Sequence, residues 1–371
     1  MRFLISAVGA LILLVAAPSG ISAQELVQDT VTTSKARVLE VLSQESRFIP
    51  GTDTPSIYQT IRVEILDGEE AGEVIVVEND YLALKEGEVF YLRHTVDNIY
   101  GTDYYTVSEP YRLPVLATLA ALFIGITLYF GGRQGARGLL ALMMSFLFIV
   151  LFLLPGILQG YSPILVSIGV SSLIILIGSY VTHGFNKMTT TAVLGMITTI
   201  VMTGILAHVA IGLARLSGFS TDESVYLNFN TSGAIDITGL LLGSILIGIL
   251  GVLYDAAIGQ AVAVEELTAA GPELSRKTIY TRAFRMGREH IGALVNTLAI
   301  AYVGVSLPLL LLFYGFGSDS ILITLNREIF ATEIIRTLVG SIGIILTVPI
   351  TTAVAVRMLV KSGHSGATIA S

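Results

Sequence analysis

Asp255 is an acid inside an apolar run, "SILIGILGVLYDAAIGQAVAVEEL", residues 244–267. A carboxylate in hydrocarbon costs about 3 kcal/mol on insertion scales. Such a residue calls for a chemical reason. Two remain open: proton relay or ion coordination, and a structural hydrogen bond. Asn would make the structural bond at lower cost, and no cation stands at the same depth. Ser244, Gly248, Gly251, Asp255 and Gly259 follow one another at steps of three or four residues, which puts them on one helix face. Small stripes let membrane helices approach closely. The face of Asp255 is therefore expected against protein or a cavity.

Two later apolar runs repeat the pattern. Gly292, Asn296 and Gly304 share a face, with Thr297 beside Asn296. Asn296 reads as a packing hydrogen bonder or as the partner of Asp255. Arg336, Gly340, Gly343 and Thr347 form the last stripe, with Glu333 one turn before Arg336. Glu333 and Arg336 read as an ion pair that fixes the helix, or as gating charges. His208 is a lone histidine in "TGILAHVAIG" and reads as packing and hydrogen bonding.

Other chemistries find no residues. The chain has no Cys and only 5 His, without an HExxH or paired-His spacing. No metal site, cofactor or enzymatic activity is expected. Asp255 has no second acid at its depth, so an aspartyl dyad is not visible.

The elements that must hold these residues follow from composition. Of 371 residues, 53% are hydrophobic and 13% charged, against about 25% charged in soluble domains. The expected fold is an α-helical polytopic membrane bundle of about seven spans, preceded by a small exported β domain. Residues 1–23 read as a signal peptide or an uncleaved anchor. Residues 24–35 read as a linker. Residues 36–112 carry five strand-like segments, such as "SIYQTIRVEIL" and "GEVFYLRHTV". They make an OB-like barrel or a sandwich fragment. The membrane domain is expected over 113–357, with a cytoplasmic loop at 265–290 and a tail at 358–371.

Orientation follows from the basic loops. Arg133 and Arg137, Lys187, the group from Arg276 to Arg288, and Arg357 fall on one side. The positive-inside rule makes that side cytoplasmic and the β domain extracytoplasmic. The expected partners are the lipid bilayer and an exported protein or small-molecule cargo. Nucleic acid is not expected, since the net charge is -7 and the basic residues sit in short loops.

Three stretches carry a resemblance: "GVLYDAAIGQAVAVEEL", "MGREHIGALVNTLAIAYVGVSLPLLLLF" and "EIFATEIIRTLVGSIGIILTVPITTAVA". They resemble the YibE/F family of bacterial multi-span membrane proteins. This implies a bacterial plasma-membrane location and carries no settled activity. The order of spans around Asp255 is also similar to the membrane domain of SecD/SecF, in the RND superfamily. There the Asp of a D-A-N motif is linked to proton flow. Asp255 and Ala256 match that motif, while Ala257 replaces its Asn. Asn296 and Thr297 stand where that family has a Thr pair. The large exported domains of SecD/SecF have no counterpart here, and extra spans precede the motif. The resemblance implies a proton-coupled export factor or transporter centred on Asp255; the rival reading is a non-catalytic scaffold whose β domain docks an exported partner.

Overall fold

The computed structural model describes residues 30–49, 51–80, 82–98, 101–316 and 320–360. The signal or anchor expected at 1–23 lies outside the described residues, as does most of the tail. The chain divides into two compact units between Ile126 and Thr127.

The first unit is a five-stranded antiparallel sheet. Its strands are β1 (Thr30–Phe48), β2 (Pro55–Ile65), β3 (Val74–Asn79), β4 (Val89–Val96) and β5 (Asp103–Pro110). β1 begins at Thr30, inside the segment expected as a linker, because its first residues pair with β4. Alternation selects the core. Ile61, Val63 and Ile65 of β2 point to one face, with Ala36 and Val38 of β1 and Phe90 and Leu92 of β4. Each such side chain contributes about 1.5–3 kcal/mol on burial.

The strand order is β3-β2-β1-β4-β5. β1 is long enough to serve two partners, β4 with its first half and β2 with its second. Register shifts after Val38 and Val41 bend it. The edge strands β3 and β5 approach each other. No hydrogen-bonded ladder joins them, so the sheet is open.

Buried polar groups tie the sheet together. The Gln59 amide donates to the Gln44 side chain and the Leu84 carbonyl, each at 2.9 Å. Its oxygen accepts from Leu84 N at 2.8 Å and from Asn79 at 3.0 Å. Tyr105 donates to both oxygens of Glu70 at 3.1 Å and stacks on His94 at 4.2 Å. Its hydroxyl is pushed up to about 12, first by burial, then by the bond to Glu70 and the surrounding carboxylates.

The second unit is helical. α1 spans Leu113–Phe148, its residues up to Ile126 belonging to the first unit, and continues through a π-helical turn, Ile149–Leu153, into α2 (Leu154–Leu158). Then follow α3 (Pro163–His183), α4 (Lys187–Leu213), α5 (Asp222–Asn230), α6 (Ile237–Ala270), α7 (Arg276–Val305), α8 (Leu307–Phe316), α9 (Ile321–Asn326) and α10 (Glu328–Leu359). Side-chain caps start several of them. Asn186 accepts from Thr189 N at 2.7 Å, and Asp236 from Gly239 N at 2.9 Å.

Among the described residues, five segments are long and apolar enough to cross a membrane: Leu113–Leu158, α3, α4, α6 and α10. They are six if α7 and α8, bent by 63° at Ser306, count as one span. The expected seven treated the first of these as two. The chain does break inside it. Gly132 has φ 51° and ψ −134°, a conformation that only Gly adopts readily. A Cβ on Gly135 would press on the Thr127 carbonyl. In a straight helix, eight residues would separate these positions by about 12 Å.

α10 packs on α4, α6 and α7 and forms the middle of the bundle. The close approaches use glycine against hydroxyl residues. A Cβ on Gly195 of α4 would meet Thr351 of α10, with the Thr351 Cα at 3.0 Å. A Cβ on Gly343 of α10 would meet the Thr203 hydroxyl at 2.5 Å.

The loop expected at 265–290 is mostly helix. α6 continues to Ala270 and α7 begins at Arg276, so only 271–275 connect them. The charges of that segment hide a helical period, in which Ile279, Ala283 and Gly287 form the packed face. This hairpin rests on the end of α10 through Val264, Ile279, Ala283, Val356 and Val360. Arg276 adds two bonds to the Val360 carbonyl, at 2.9 and 3.1 Å.

Candidate functional site

Asp255 lines a cavity of about 330 Å³ between α6 and α7, closed on one side by Val348 of α10. From α6 come Asp255, Ala256, Gly259, Gln260 and Ala263. From α7 come Met286, Gly287, His290, Ala293 and Leu294. The local sequence explains the space. Gly259 has nothing within 4 Å of where a Cβ would stand, so the cavity opens beside Asp255. At Gly287 the helices touch instead: a Cβ there would meet the Gln260 amide, and Val348 at 2.6 Å.

Gln260 is buried, and its side-chain oxygen accepts from the Thr352 hydroxyl at 2.7 Å. That hydroxyl also lies 2.6 Å from the Val348 carbonyl. The cavity thus holds one carboxylate, one imidazole and a fixed amide in an otherwise apolar frame. Among the described residues no ion pair joins Asp255 to His290, and no group of three acids or histidines could hold a metal ion. Asp255 and His290 line the same cavity without forming an ion pair, and both are groups that can take up or release a proton.

The expected small stripe has a different place from the one its spacing implied. Ser244, Gly248, Gly251, Asp255 and Gly259 are all exposed, and the packed face of α6 is the opposite one. Of the three glycines in the stripe, Gly248 closes on another helix, where a Cβ would stand 2.5 Å from the Tyr302 hydroxyl, while Gly251 and Gly259 have nothing within 4 Å. Gly251 lines a separate apolar cavity of about 370 Å³, with Tyr254, Gly178 and Ser145. Gly292 and Gly304 also face open space, whereas Gly340 meets Ile249 and Leu298.

Asn296 and Thr297 are exposed on α7 and do not line the Asp255 cavity. The Thr297 hydroxyl is turned onto the Ala293 carbonyl at 2.9 Å. His290 stands where Asn296 was expected. It closes the segment expected as a loop, and the signal for it is the helical period through Ile279, Ala283 and Gly287. Glu333 and Arg336 pair at 2.7 Å on α10, and Ser306 donates to Glu333 at 3.2 Å. His208 is exposed on α4 and makes no contact with the Asp255 cavity.

The β unit carries a second, polar groove of about 320 Å³. Arg47, lying over the Tyr58 ring at 5.2 Å, borders it with Glu45, Glu78, Asp80 and the buried Gln59 and Asn79.

A family model described as YibE/F-like protein matches residues 119–361, which include all the helices that build the Asp255 cavity. No curated protein and no solved structure matches the chain.

Proposed function

The chain belongs to the YibE/F-like protein family, and from that premise we propose that it is a proton-coupled membrane transporter or export factor with Asp255 as its protonatable group. The carrying observation is the cavity itself: Asp255 and His290 share it, on two adjacent helices that pass through apolar surroundings. Protonatable groups in such surroundings are costly and are kept for ion pathways. His290, rather than Asn296, is the second group of the relay.

In this reading the chain crosses the membrane seven times. The break at Gly132 divides the first long segment, and α7 with α8 forms one bent crossing. The basic ends of the helices lie in the cytoplasm, and the β unit is exported. The β unit is of OB type: β1 bends to serve both halves and the two edges turn toward each other, as in a partly open barrel.

The test is proton flux in proteoliposomes under an imposed pH gradient. Asp255→Asn should abolish the flux and His290→Gln should slow it. Undiminished flux in Asp255→Asn would remove this residue from the mechanism. The polar groove on the β unit favours a second reading, a scaffold that docks an exported partner. Absent flux in the wild type, with a partner crosslinked through Arg47 or Tyr58 positions, would select it.

A further inference from the structure

We infer that the first turns of α7 form a binding surface for anionic phospholipid headgroups, held at a fixed height above the hydrocarbon by the helix itself. The surface is an arc of Arg282, Arg285 and Arg288, with Lys277 on the same face further from the apolar run, all exposed. Among the described residues none of the four is in an ion pair. At about 100° per residue, Lys277 and Arg288 lie within about 20° of each other, and the four span about 140°. The opposite side of the helix is packed through Ile279, Ala283 and Gly287, so the arc cannot rotate away. One acid, Glu289, lies within the arc, and Glu265 and Glu266 are exposed on α6.

One further observation points to lipid. The helix continues without interruption into the apolar run that starts at Ile291. Rise along the helix sets the heights. Arg288, Arg285 and Arg282 stand about 5, 9 and 14 Å above Ile291, and Lys277 about 21 Å. The Debye length near physiological salt is about 8 Å. Arg288 and Arg285 therefore face the phosphates directly, Arg282 weakly, and Lys277 is screened from them. The ligand is a phosphodiester headgroup with a net negative charge, of the phosphatidylglycerol class. Lipid binding here does not depend on proton movement at Asp255.

The test uses the full chain in phosphatidylcholine vesicles that contain a minority of spin-labelled phosphatidylglycerol or spin-labelled phosphatidylcholine. The motionally restricted fraction reports selectivity. The wild type should prefer phosphatidylglycerol several-fold, and high salt should remove the preference. Each basic side chain near such a surface contributes up to about five-fold. Arg285→Gln with Arg288→Gln should lose most of the preference, the corresponding Lys pair should retain it, and Lys277→Gln should leave it unchanged. Equal restriction of the two lipids in the wild type would overturn the inference. So would a loss in Lys277→Gln as large as that in the Arg pair, or a failure of the Lys pair to retain selectivity.

Discussion

In the β unit, the buried amides of Gln59 and Asn79 are bonded on both donor and acceptor sides. Among the described residues of the helical unit, the hydroxyls of Ser167, Ser171, Thr189, Thr203 and Thr351 are buried and meet no hydrogen-bond partner. The difference lies in what each group demands. A buried amide left unpaired is costly and fixes its neighbours into one arrangement. A small hydroxyl demands less and leaves the opposing helix free of a directional bond. The β unit is thus committed to one geometry, while the seams between α3, α4, α6 and α10 are held mainly by shape, with few directional bonds such as Thr352 to Gln260 and Tyr180 to Thr190. Surfaces held by shape suit helices that shift against each other.

Substitutions can break or sharpen this contrast. Gln59→Leu should be the most damaging, at about 4 kcal/mol, because it strands both backbone groups of Leu84 and removes one bond of Asn79. Hydrogen exchange across β1 and β2 would report it, and protection equal to wild type would show that the network does not hold the sheet. Gly195→Ala should cost about 2 kcal/mol through overpacking against the Thr351 backbone. A lowered thermal midpoint of the helical signal checks this, and pairing it with Thr351→Ser should not repair it.

A smaller effect should appear in strong alkali. The Tyr105 hydroxyl has its ordinary value near 10 and is held at about 12 in the fold. The folded state therefore keeps a proton that the unfolded chain loses. Its contribution is complete below pH 10 and is lost as pH rises toward 12. The slope of stability against pH in that window should flatten in Tyr105→Phe. Least of all, Ser171→Ala should change stability by no more than about 0.5 kcal/mol, since it removes an unpaired group and strands no other. A loss of several times that size would mean the seams rely on hydroxyl bonding after all.

The strands were legible because period-two alternation survives even in a small unit; Ile61, Val63 and Ile65 alone define the inner face of β2. The helical bundle and the family were legible from apolar runs and from the stretch around Asp255. The direction of the small stripe was not. Ser244 and Gly251 have the spacing of a packing face, but so do Gly195, Gly343 and Gly340, and spacing does not say which stripe meets another helix. The helix through 276–290 was masked by its five basic residues, which read as loop although Ile279, Ala283 and Gly287 kept the period. His290 was lost with it. The break at Gly132 falls among glycines and arginines, so its turn was legible while its exact backbone form was not.

α10 follows in the chain every helix that it packs on. During synthesis, α4 and α6 must therefore enter the bilayer before the element that packs against both exists. Until then Gly195 and Gly287 face an unfilled groove. The Asp255 cavity, which needs Val348 as a wall and Thr352 to fix Gln260, comes into being only when α10 inserts. A chain stalled before α10 would carry an acid in the membrane without the chamber around it, a state that insertion machinery and membrane proteases could distinguish from the finished protein.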